Sequence, residues 1–263
     1  MPLRLDKSRF YAFTIHILLS AVIFCAVFYV LVMLWYPDIF FTTDGGLKGL
    51  QLIALVDVVV GPVLTLILYR QGKKGLKLDM AIIGVLQVSF LIYGIWVLYS
   101  HRPAALVFYK DTFYSMGVEK YKSQENGLKK ITSVAGSFPG YVAVNLPDDW
   151  DEIRELRRRA TAKGEALFAQ VNYYAPFKYH QKEIVKYARE VGGFLKESPQ
   201  EKIIMDKWLA KHDKRMEDFI YIPVVSRFKN SILAIDPLSG DIKGCVGISI
   251  PEQFQLPFIN SSQ

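Results

Sequence analysis

Asp57 is the residue whose surroundings most demand a chemical explanation, because it stands inside the otherwise uncharged run from Leu50 to Tyr69. A carboxylate at the centre of a membrane helix costs about 2.5–3.5 kcal/mol on insertion scales, so Asp57 is expected to face other helices or to carry a proton. A proton or ion relay would need several ionisable groups along one path, and no other carboxylate occurs in the apolar runs. Packing and hydrogen bonding between helices, recognition or gating of a partner, and ion coupling resting on Asp57 alone are the chemistries left open. Helical rise puts Asp57 about 10 Å below the outer end of its run, level with Cys25, Tyr29 and Tyr93. Gln87 falls about a turn and a half lower, and His16 lies near the opposite end, too deep to pair with Asp57 directly. Gly61-Pro62 is expected to kink the helix, with Thr65 hydrogen-bonding a freed carbonyl.

Elsewhere, reactive constellations are sparse. His180 and His212 sit by no nucleophile motif, and the chain has no G-x-S-x-G, H-E-x-x-H, phosphate-loop or dinucleotide fingerprint. No C-x-x-C spacing occurs; Cys25 lies in the first apolar run and Cys245 near the far end, which excludes neither a buried nor a reactive Cys245 but argues against a disulfide and a zinc site. Asp148, Asp149, Asp151 and Glu152 cluster at a helix start, where the helix dipole accounts for them without calcium. Arg157-Arg158-Arg159 reads as a solvated helical face, with a site for an acidic partner as the alternative. No enzyme activity, cofactor or metal is expected.

Three elements must position Asp57, and all lie in the first 102 residues. Phe13–Tyr36, Leu50–Tyr69 and Met80–Tyr99 are long enough to cross a bilayer as three transmembrane helices. The first is far longer than the apolar core of a signal peptide and reads as an uncleaved span. Trp35 and Tyr36 close it as interface anchors, as Trp96 and Tyr99 close the third. Arg4, Lys7 and Arg9 precede the first run, and Arg70, Lys73, Lys74 and Lys77 lie between the second and third. The opposite side offers only Lys48 and Arg102. The positive-inside rule then puts the N-terminus in the cytoplasm and residues 103–263 across the membrane, in the periplasm if the membrane is a bacterial inner one. Net charge is +7, spread over both parts rather than clustered, which argues against a nucleic-acid partner.

Residues 103–263 mix strand and helix patterns. Ala104–Tyr109 and Thr112–Val118 read as a short hairpin, or one bent strand, with Lys110-Asp111 between them. Gln124–Gly140 reads as loop with a short helix. A helix beginning after Asn145–Asp149 should bury Trp150, Ile153, Leu156 and Ala160 and end at Gly164. A second is expected over Lys178–Leu195. A third should start at Ser198 and Pro199 with Glu201 completing a capping box, and bury Ile203, Ile204 and Trp208. Phe219–Val225 reads as a strand, and Ser231–Ile235 with Ile242–Ile248 as a hairpin around Asp236–Asp241. The expectation is an α+β domain whose antiparallel sheet packs on helices.

The basic tail leading to Trp35-Tyr36-Pro37, the run Asp57-Val-Val-Val-Gly61-Pro62-Val-Leu-Thr65, and the basic loop ending in Asp79 before Gln87, Tyr93-Gly94 and Arg102-Pro103 belong together. In this combination they resemble the type IV pilin accessory proteins of the TfpX/TfpZ type, over residues 1 to about 115. The resemblance implies an inner-membrane factor assisting the stability or assembly of a type IV pilin, its partner alongside the lipid bilayer. Asp57, Gly61, Pro62, Thr65, Gln87 and Tyr93 would then serve as structural or partner-binding residues. The rival reading is a membrane-anchored periplasmic domain that senses or binds a ligand. A sensor should carry a cytoplasmic output module, for which this sequence offers a short tail and one loop.

Overall fold

The computed structural model describes residues 7–251. They fall into two compact units, one of helices through Pro37 and over Gly45–Ser100, the other holding Asp38–Asp44 and the described residues from His101 onward.

The first unit has three helices long and apolar enough to cross a membrane: Lys7–Trp35, Gly46–Leu68 and Leu76–Ser100. Each begins before the apolar run that specifies it, because polar residues at a helix start can continue the backbone ladder. Two stretches widen into π-helix, Leu31–Trp35 and Ala54–Val60. The second has a local cause in Pro62, which has no N–H to give an upstream carbonyl. The ladder shifts, so that the Gly61 N–H bonds the Val56 carbonyl five residues back. The irregularity expected at Gly61-Pro62 therefore lies in the seven residues before it, and Asp57 sits inside it. Such π-turns in α-helices frequently mark functional sites.

The second unit is built on a seven-stranded sheet in the order β4-β3-β1-β2-β5-β6-β7. The strands are β1 (Pro103–Tyr109), β2 (Thr112–Gly117), β3 (Gly140–Val144), β4 (Tyr174–Pro176), β5 (Ile220–Val225), β6 (Ser231–Ile235) and β7 (Ile242–Cys245). The β1–β2 hairpin forms as its sequence predicts, turning through Lys110 at φ 58°. The β6–β7 hairpin around Asp236–Asp241 also forms. The sheet is mixed, however, and not antiparallel throughout: β1 runs parallel to β3 and β2 parallel to β5. Both parallel neighbours return through long connections, which can bring a strand back in the same direction, as a tight turn cannot. β1 is buried along nearly its whole length, and that explains its unbroken apolar run Ala104–Phe108 in place of an alternating one.

Two of the three expected helices survive in the second unit. Trp150–Ala162 starts on Asp149, whose side chain accepts the Asp151 N–H. It ends in a Schellman turn at Gly164, with φ +67°, Gly164 N–H on the Thr161 carbonyl and Glu165 N–H on the Ala160 carbonyl. Trp150 is 77% exposed instead of buried, so the apolar stripe begins at Ile153. Pro199–His212 also forms, but without the capping box: Ser198 makes no side-chain cap bond, and Glu201 accepts the Ser249 N–H at 2.8 Å. Its buried face is Met205 and Leu209, flanked by Ile204 and Trp208, while Ile203 is exposed.

The continuous helix expected over 178–195 is absent. Short 3₁₀ turns at Phe177–Tyr179 and Ile184–Tyr187 lead to a helix only at Gly192–Glu197. Tertiary bonds override the local periodicity here. Arg189 N–H bonds the Tyr221 carbonyl at 2.9 Å, and the Arg189 side chain pairs with Asp111. Phe177 and Tyr187 pack edge-on against Phe108.

Candidate functional site

Asp57 and several other polar residues of the three-helix unit line one cavity of about 520 Å³. The first and third long helices form its walls, and the second contributes Asp57, Thr65 and Tyr69. Asp57 is 6% exposed, and its Oδ2 finds no hydrogen-bond partner among the described residues. An acceptor left bare in apolar surroundings is costly, about 1–3 kcal/mol and more for a charged group.

The other polar side chains are disposed as follows. His16 Nδ1 and Thr65 Oγ1 lie 2.6 Å apart, so the Thr65 hydroxyl joins two helices instead of capping a freed carbonyl of its own. His16 is hydrogen-bonded there and not to Asp57, though both line the cavity. Gln87 crosses to the second helix and lies directly on Gly61, where any Cβ would overlap its amide nitrogen. A side chain at 61 would have to push the flexible end of Gln87 aside. Pro62 is buried at the start of the α-helical segment Gly61–Leu68. Gly84, on the cavity wall, is the opposite case: a Cβ there would meet nothing within 4 Å.

Tyr93 is not brought to Asp57. It is 64% exposed, beside Trp96 with ring centroids 6.1 Å apart, and Cys25 and Tyr29 also face outward. Equal depth along a helix does not fix which face a residue occupies. Ser20, 4% exposed on the first helix, belongs to the cavity and was missed. Spacing gives a signal for it, since His16 and Ser20 are four residues apart and share a helical face.

Of the aromatic residues at the helix ends, Trp35 and Tyr99 pack together at 5.1 Å between centroids. Trp96 and Tyr99 present exposed rings, as an interface position would require. Tyr36 does not. It is buried, and its hydroxyl donates to the Leu98 carbonyl at 2.9 Å, satisfying one of the carbonyls a helix C-terminus leaves open.

In the second unit, a larger cavity of about 1030 Å³ lies where the curled sheet brings Tyr141 and Pro176 near β7. Burial, followed by Asp38 and Cys245, pushes the Tyr141 phenol up to about 12. Burial also raises the Cys245 thiol, which donates to Ser231 Oγ at 3.3 Å. His212 lines this cavity too, but it stacks on Trp208 at 4.0 Å and bonds the Trp208 carbonyl. The arginine run is partly self-compensated: Glu155 bonds Arg158 and Arg159, whose hydrogen bonds lower its carboxyl to about 2. No group of three or more His, Cys, Asp or Glu side chains that could hold a metal occurs among the described residues.

No protein-family model and no solved structure matches the chain. Three curated proteins of Dichelobacter nodosus are similar to it. The fimbrial assembly protein of serogroup I is 28% identical over 221 residues, covering 81% of this chain and 84% of that one. The fimbrial assembly protein of serogroup E1 is 38% identical over 100 residues, 37% of this chain and 39% of that one. That of serogroups C1 and C2 is 36% identical over 100 residues, 37% of this chain and 76% of that one. A three-helix unit apolar enough for a membrane, joined to a mixed α/β unit, thus defines the class. The chain belongs to the family of fimbrial assembly proteins.

Proposed function

We propose that this chain is an accessory protein of the TfpX/TfpZ type, which spans the bacterial inner membrane three times and supports the entry of a type IV pilin into fimbriae. The N-terminus and the basic loop Arg70–Lys77 face the cytoplasm, and the sheet-bearing unit is periplasmic. Seven Lys and Arg residues on one side of the helices against two on the other support this orientation. The chain acts by contact and performs no catalytic step.

The observation that carries this reading is the cavity around Asp57. A protein with only structural duties in a membrane would have little reason to keep a carboxylate whose oxygen is bare. A subunit waiting in the same membrane exposes an apolar helix, and Gly84 on an open wall allows close helix approach. The periplasmic unit would lie beside the subunit's head. Fimbrial assembly by the relatives supports the same role. Deleting the gene is expected to lower surface fimbriae or the level of pilin in the membrane; unchanged values of both would refute the proposal.

The second reading, a ligand-binding periplasmic domain, rests on the cavity of about 1030 Å³ bordered by Tyr141, Lys211 and Lys243. It predicts saturable binding of a small anionic molecule by the full chain and fimbriae that vary with its supply.

A further inference from the structure

We propose that the Asp57 cavity is the seat of one apolar helix from a partner protein, which presents a protonated amine at the depth of Asp57. This rests on the membrane-spanning reading above and adds the place of contact and the chemistry of the group received.

The cavity opens between the first and third long helices, with Ile15, Leu19, Leu91 and Val88 along its sides. Such walls favour a hydrophobic occupant. The inner end sets a second condition, because Asp57 offers a buried carboxylate oxygen with no donor among the described residues. Of the polar side chains nearby, His16 and Thr65 are bonded together and Gln87 is turned onto Gly61. In low-dielectric surroundings a carboxylate is best satisfied by an opposite charge that also donates a hydrogen bond. A lipid acyl chain would match the walls and leave Asp57 bare. A second copy of this chain brings no lysine or arginine to that depth, since its runs 13–36, 50–69 and 80–99 contain neither. The remaining occupant is a different protein's helix carrying an amine.

Gly84 is the position for testing the seat, because a Cβ added there meets none of this chain's own atoms within 4 Å and a longer side chain would project from the cavity wall. A photoreactive residue replacing Val88, which lines the cavity, is placed in the full-length chain in native membranes, with Ile92, outside the lining, as the control position. The Val88 probe is expected to form an adduct with the fimbrial subunit and the Ile92 probe a much weaker one. Gly84→Leu, and Asp57→Asn separately, should each cut the Val88 adduct by at least about tenfold, the consequence of blocking the seat or removing the charge partner. Gly84→Ala should leave it unchanged. If Gly84→Leu accumulates poorly, Gly84→Val is read in its place, with the same expectation in smaller degree.

Wild-type adduct yield in either the Leu or the Asn variant overturns the proposal, as does a Val88 adduct formed only with lipid or with a second copy. If deletion lowers fimbriae while these variants behave as wild type, the seat is wrong and the accessory role stands. If deletion changes nothing, the accessory role itself has failed.

Discussion

Ser115 donates its hydroxyl to Asp44 Oδ1 at 2.6 Å, joining residues 71 positions apart within the second unit. Thr43 holds the other carboxylate oxygen at 2.7 Å, and the Thr43 carbonyl accepts the Phe228 N–H at 3.0 Å. Ile39 and Phe40 are buried beside them. The segment Asp38–Asp44, which follows the first long helix, is thus a built-in part of the sheet-bearing unit.

This arrangement gives a pH prediction. Burial raises the Asp44 carboxyl above its ordinary value, against the opposing effect of the Ser115 and Thr43 hydrogen bonds. A carboxyl with a raised folded-state pKa contributes stability that is fully present below its unfolded value of about 3.9. That contribution is lost as pH rises through the folded value. Thermal unfolding of the detergent-solubilised chain should therefore shift to lower temperature across this window, and Asp44→Asn should flatten the slope. Identical slopes for the two proteins would show that Asp44 is not a buried titrating group.

Gly61 and Gly84 should respond oppositely to the same substitution. Gly61→Leu forces Gln87 away from the second helix and should destabilise the helical unit by about 1–3 kcal/mol, the usual cost of overpacking. At Gly84 the new Cβ meets no atom within 4 Å, and the substitution gains helix propensity. Titration of the full chain with a denaturing detergent reads the difference as a lower midpoint for the first variant only. Equal midpoints would contradict the Gly61–Gln87 contact.

The orientation is tested with fusions. Alkaline phosphatase joined after Lys110 should be active and joined after Lys74 inactive, because the enzyme folds only outside the cytoplasm. The reverse pattern would invert the proposed topology and put the sheet-bearing unit on the cytoplasmic side, away from a subunit head.

Much of this was legible from local pattern, and the failures have a common physical origin. The three apolar helices announce themselves by length, and the β1–β2 and β6–β7 hairpins by turn chemistry at Lys110-Asp111 and Asp236–Asp241. β3 and β4 were missed because Gly140–Val144 and Tyr174–Pro176 are short and owe their state to pairing with β1 and with each other. The helix expected over 178–195 was lost to Arg189, whose partners Asp111 and Tyr221 are remote in sequence. Within the candidate site, Asp57, Gly61, Thr65 and Gln87 were identifiable because polar or small residues are conspicuous in apolar runs. Tyr93 was misplaced and Ser20 overlooked because depth along a helix is readable from residue number, whereas the facing between helices depends on their packing.

If this chain holds a fimbrial subunit in the membrane before assembly, as proposed, the two should be isolated together. The full-length protein, tagged and expressed at its natural level, would be purified in mild detergent from membranes of cells blocked in fibre formation. The fimbrial subunit would then be quantified by immunoblot against an unrelated inner-membrane protein. The subunit is expected to be enriched with the tagged chain, and to be lost when the three long helices are replaced by those of another protein. Absence of the subunit from the purified complex, at normal subunit levels in the membrane, would contradict it.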